Sequence, residues 1–134
     1  MLNRVFLSLI LTVSISAIST AQIYDPVSLN ADPTTATGPL APRLGGLGDY
    51  HFEVTTSDEQ SQYFFDQGMR LVFAFNHSEA LRSFKEAARI DPDNAMAYWG
   101  WALSLGRNLN VPMMMNSAEQ ANHAMNMASS LKGK

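Results

Sequence analysis

Methionine and histidine are the residue types with the most evident chemical potential in this chain. Met113-Met114-Met115, Met125 and Met127 lie near His123, and thioether sulfur with imidazole is a donor set suited to Cu(I). An extracytoplasmic metal-binding protein using Met and His side chains is therefore one function to weigh. Two physical points stand against it. Consecutive Met side chains on a helix point in different directions, and Met is an adaptable filler of apolar gaps between helices. Core or interface is the better reading. His51, His77 and His123 are not one helical turn from one another, and none has a close carboxylate partner in sequence, so structural roles are expected. The expected metal ligands are none, and no cofactor is implied.

Catalytic constellations are missing as well. Ser57, Ser61, Ser78 and Ser83 lack a Gly-x-Ser-x-Gly elbow, and the chain has no cysteine nucleophile. Gly45-Gly46-x-Gly48 follows no convincing strand and matches no phosphate-cradling loop. Asp91 and Asp93 bracket Pro92 at a turn, where capping explains both. The expected catalytic set is none, and the chain is not expected to be an enzyme.

The elements that would position these residues fit one modest domain in 134 residues. Residues 1–21 have the pattern of a secretory signal peptide: Arg4 in a short start, an apolar run from Val5 to Ile18, and Ser19-Thr20-Ala21 as a cleavage site. An uncleaved anchor is the rival, but four hydroxyl residues interrupt the run. Residues 22–50 carry Asp25-Pro26, Asp32-Pro33, Gly38-Pro39, Ala41-Pro42 and Gly45-Gly46. That density predicts a flexible, extended linker with little to bury. His51-Phe52-Glu53-Val54-Thr55 alternates polar and apolar, and is expected to pack along the first helix. Residues 51–131 form the expected helical domain. Capping signatures at Ser57/Gln60, Asn76/Glu79 and Asn116/Glu119 and the stop at Asp91-Pro92-Asp93 divide it into about four helices.

Removing residues 1–21 takes away one arginine and moves the formal net charge from −3 to −4. A mildly acidic product has no electrostatic case for nucleic acid or an anionic membrane surface. The expected location is periplasmic or secreted, with no membrane association after cleavage. Without cysteine, stability must come from packing alone.

Phe64-x3-Gly68-x2-Leu71, Ala80-x3-Phe84-x2-Ala87 and Pro92 place small and large residues in the order of a tetratricopeptide repeat. The chain resembles that family, with Phe64 where Trp is common. Adding the period of about 34 residues puts Tyr98 over Phe64, Ala102 over Gly68 and Leu105 over Leu71. Met114 then falls where Ala80 would recur, so an insertion displaces the second helix of that unit. Ala74 to Ala80, Asp91-Pro92-x3-Met96-x2-Trp99-Gly100 and Asn110-x-Pro112-Met113 are similar to exported bacterial tetratricopeptide proteins, generally longer than this chain. The resemblance implies an all-α, helix-turn-helix solenoid fragment, an N-terminal piece of a longer array or a self-associating protein, since about three repeats are usual for stability.

In that family the first helix of each unit lines a concave groove. The resemblance thus implies a partner-binding groove of Gln62, Phe65, Met69, Val72, Phe73, Met96, Trp99, Leu103 and Arg107. A protein–protein interaction scaffold, gripping a peptide or helical partner, is the leading expectation. The alternatives are the metal-binding protein above and a purely structural opening module of a larger protein. Phe65 and Met69 stand where some members use Lys and Asn, which argues against a clamp on a peptide C-terminus. A following repeat, the linker or His51–Val54 would cover these residues if they are ordinary core.

Overall fold

The structure, a computed structural model, describes residues 29–108 and 115–133. The expected signal peptide, residues 22–28 and most of the loop from Arg107 to Pro112 lie outside the described residues. Among those described there is no strand, and four α-helices carry the fold: α1 (Glu59–Phe73), α2 (His77–Ile90), α3 (Ala95–Leu105) and α4 (Met115–Ser130). Each helix packs on the next in sequence, and α1 also touches α3. No helix among the described residues is long and apolar enough to cross a membrane.

Local chemistry sets the boundaries. Asp58, not Ser57, caps α1: its carboxylate accepts the N–H groups of Gln60 at 2.8 Å and Ser61 at 3.2 Å. An ionised side chain suits the positive end of a helix. At the other end, Asn76 N–H donates to Leu71 O at 2.9 Å and Phe75 N–H donates to Val72 O at 3.0 Å. This pair is a Schellman stop, and it holds Phe75 at φ 59°. Asn76 then caps α2 through its side-chain oxygen, so one residue ends one helix and begins the next. Asn94 caps α3, accepting from Met96 and Ala97 N–H at 3.1 Å each. Its buried amide donates to Ser61 Oγ at 2.9 Å, and Ser61 Oγ donates to Ala87 O at 2.9 Å. That relay ties α1, α2 and the start of α3 together.

Phe84 is the centre of the core. It is fully buried on α2, with Gly68 of α1 and Gly100 of α3 against its ring. A Cβ at Gly68 would come within 2.6 Å of the ring, and one at Gly100 within 2.3 Å. The repeat register aligned Ala102 with Gly68, yet Gly100 makes the second close approach. Phe64, Leu71, Ala80, Ala87 and Tyr98 are buried around it.

The expectation of little to bury between residues 22 and 50 is corrected over its described part. Residues 29–58 run as a strap across the helices, burying Pro33, Leu40, Ala41 and Val54. Proline prevents a helix there, but it does not prevent an extended chain from docking when helix side chains satisfy the backbone. Leu40 N–H donates to Glu86 Oε2 at 2.8 Å, and Arg82 Nε donates to Leu40 O at 3.1 Å. Gln67 accepts from Leu44 N–H at 2.8 Å and donates to Pro42 O at 2.9 Å.

Candidate functional site

The outer face of α1 holds a length of extended chain. Gln62, Asp66 and Arg70 recur every four residues and so share one stripe of the helix. Arg70 Nε donates to Tyr50 O at 2.7 Å. Asp66 Oδ1 accepts from Phe52 N–H at 3.1 Å. Gln62 accepts from Val54 N–H and donates to Phe52 O, both at 3.0 Å. Rising numbers along the strap meet falling numbers along the helix, so the strap runs antiparallel to α1. The rungs fall on alternate strap residues, as an extended chain requires. His51 Nδ1 lies 2.7 Å from Asp66 Oδ2, a carboxylate pairing that sequence spacing did not reveal because the partners are on different elements.

Apolar contacts run beside this ladder. The Phe52 ring lies 6.3 Å from that of Phe65, and Tyr50 meets Phe73 edge-on at 5.1 Å. The strap thereby covers part of the groove that the family resemblance implied. Phe65 and Met69 are buried, which corrects their placement on an open wall. The physical reason is that Phe65 lies between the Phe52 ring of the strap and the Phe84 ring of α2, at 6.3 and 5.5 Å between centroids, and Met69 belongs to the same core cluster. Gln62 is half-buried and engaged with strap backbone. Val72, Met96 and Trp99 are half-buried, while Phe73, Leu103 and Arg107 are exposed. Met96, Trp99 and Leu103 share a stripe of α3 by their spacing.

A second concave region, a cleft of about 380 Å³, is lined by Asn30, Asp32, Lys85, Trp101, Gln120 and His123 among others. Lys85 is 1 % exposed and donates to Leu29 O at 2.6 Å and Ala31 O at 2.9 Å. Its ammonium also stands 4.6 Å from the Trp101 ring centroid. Burial pushes the Lys85 pKa down to about 8, with Asp32 opposing the shift. Two carbonyls already engage the ammonium, so Lys85 clamps the strap. Asp32 is held below the usual carboxylate range, chiefly by its hydrogen bond from Thr34. Trp101 Nε1 and Tyr98 Oη are buried without a partner among the described residues, and burial raises the Tyr98 pKa.

Of the methionine–histidine set, the structure describes the side chains of His123, Met125 and Met127. His123 is exposed with its ring 5.8 Å from Trp101, Met125 is exposed, and Met127 packs on the core. Met113 and Met114 lie outside the described residues. Among the described residues no group of three His, Asp or Glu side chains could hold a metal ion. His77 packs near Phe75 at 6.5 Å between ring centroids.

Sequence reasoning missed the polar side chains that hold the strap: Gln67, Arg82, Lys85 and Glu86. A signal did exist. Residues 82, 85, 86 and 89 share one face of α2, and a proline-rich chain without secondary structure needs side chains to satisfy its backbone. No family model matches the chain, and neither a curated protein nor a solved structure matches it. The finding is thus a small, all-helical, four-helix domain.

Proposed function

We propose that the protein is an extracytoplasmic interaction module of the tetratricopeptide type, with α1–α2 as the first unit and α3 opening a second. The wedge of Phe84 between Gly68 and Gly100 supports the repeat reading, because such repeats nest through small residues around a large one. The N-terminal pattern of the sequence supports export. Its role is to hold a protein or peptide through the apolar surface of α1 and α3 that the strap leaves open.

One observation carries this reading. Phe73 is 58 % exposed and Leu103 is 39 % exposed, with Val72, Met96 and Trp99 half-buried beside the core. Large apolar side chains left in water mark interaction surfaces when they form a patch, and aromatic residues dominate the binding energy of such patches. Arg107, exposed just past the end of α3, would orient an acidic group of the partner.

The test is selection of random peptides displayed on phage against the mature protein, with Leu103→Asp as the counter-screen. Leu103 is exposed, so the variant keeps its helicity. Peptides that enrich on the wild type and lose binding on Leu103→Asp support the proposal. Enrichment of none, or equal binding to both proteins, refutes it.

A further inference from the structure

The strap has two kinds of attachment to the helices. Residues 40–44 are deeply anchored: Leu40 and Ala41 are buried, and the backbone of Leu40 is gripped at both ends by charged side chains, Glu86 and Arg82. At the far end Val54 is buried and Thr56 hydrogen-bonds Asp91. Between these anchors the contacts lie nearer the surface, although Leu47 packs against the core and His51 pairs with Asp66 at 2.7 Å. Gly45, Gly46 and Gly48 meet no neighbour within 4 Å of a built Cβ, and Gly46 and Gly48 take φ values of 76° and 79°. Tyr50 is 41 % exposed and Phe52 47 % exposed, although their backbone is bonded to α1 at every alternate residue.

This stretch therefore occupies α1 as a bound extended peptide would. Its backbone is read by side chains of the helix, and its alternate residues rest on Phe65 and Phe73. We propose that residues 45–53 are a displaceable latch, and that the partner of α1 is an extended peptide with apolar side chains at alternate positions. That peptide takes the latch's place, antiparallel to α1, on the same Gln62, Asp66 and Arg70. The glycine stretch is the hinge. Because both anchors stay in place, the latch lifts without disturbing the α2 contacts of residues 40–44. Displacement uncovers the edge of Phe65 that faces Phe52 and the part of Phe73 that meets Tyr50, so the groove doubles as its own inhibitor. The proposal rests on the interaction-module reading above for its biological sense, but its test does not depend on that reading.

Two measurements test it on the mature chain. In amide hydrogen exchange, the Phe52 N–H exchanges by local opening, well ahead of those of Leu40, Leu44 and the anchored Val54. Exchange of the Phe52 N–H only with global unfolding, like the other three, overturns the latch. The second measurement is binding of a fluorescent synthetic peptide with the sequence of residues 49–56. The tethered copy competes at an effective concentration on the order of millimolar, so wild-type affinity is low. Tyr50→Ala with Phe52→Ala frees the site and tightens apparent binding by about tenfold or more, since apparent affinity scales with the open fraction. Gln62→Ala added to that variant abolishes the gain. No gain in the double variant, or loss of its cooperative helical melt, refutes the proposal by showing the segment to be core. Failure at Leu103 in the phage experiment leaves the exchange result standing, so the two proposals fail separately.

Discussion

Adding one methyl group at Gly100 tests the packing on which this fold is built. The new Cβ would stand 2.3 Å from one Phe84 ring carbon and 2.7 Å from Cγ, at the root of the ring. Relief requires the whole side chain to move, because rotation about the ring axis leaves Cγ in place. The direction away from α3 leads to α1, where a Cβ on Gly68 would itself stand 2.6 Å from the ring. Overpacking of a fully buried site costs about 1–3 kcal/mol. Replacing a mid-helix glycine by alanine returns about 1 kcal/mol. The difference is a loss of about 0–2 kcal/mol, and the contact with Cγ puts Gly100→Ala toward the upper end; each 1 kcal/mol moves the melting temperature about 4–8 °C in a domain of this size. Gly68→Ala is milder, since its Cβ meets the outer edge of the ring. The double variant loses more than the sum, because each blocks the other's relief. Far-UV circular dichroism melts measure this. In a Phe84→Leu background the clash is gone and Gly100→Ala becomes stabilising. A wild-type or higher melting temperature for Gly100→Ala, or an equal loss in the Phe84→Leu background, refutes the wedge.

Two further outcomes follow from the strap and its clamp. Lys85 has a folded pKa of about 8 against 10.5 in the open chain, so between those values the unfolded state holds more protons and stability rises with pH. The rise is at most about 3 kcal/mol. Above about pH 10.5 the trend reverses, because Tyr98, whose pKa burial raises, keeps its proton in the fold while the unfolded chain releases it. Urea unfolding across pH 7–11 reads both limbs; Lys85→Met removes the rising one, and a rise that survives the substitution overturns the assignment. Gln67→Leu strands the Leu44 N–H and Pro42 carbonyl against an apolar side chain and costs about 2–4 kcal/mol. A loss below about 0.5 kcal/mol, the level of a neutral surface change, shows that the Gln67 bridge does not hold the strap.

The helices were legible because their determinants are local. Asn76 caps α2 and Ile90 ends it as sequence signals predict, since a cap needs only a short side chain and the next free N–H groups. The interior role of Gly68, Ala80, Phe84 and Ala87 was legible from spacing, because a small residue opposite a large one needs only helical period. The strap was not. Its proline and glycine content describes what the chain cannot form by itself, and says nothing of a surface offered by α1 and α2. For the same reason Phe65 read as part of an exposed wall, although Phe52, whose ring meets it, stands 13 residues upstream.

Sequence alone determined an all-α chain with helices near these bounds and a glycine-relieved contact between the first two, because capping, periodicity and side-chain size act within a few residues. Tertiary structure decided that the presumed linker is a docked strap, that His51 meets Asp66, and that Lys85 and Glu86 are interior groups. Those outcomes depend on polar groups that seek partners wherever folding brings them, and no local pattern names a partner 15 to 56 residues away.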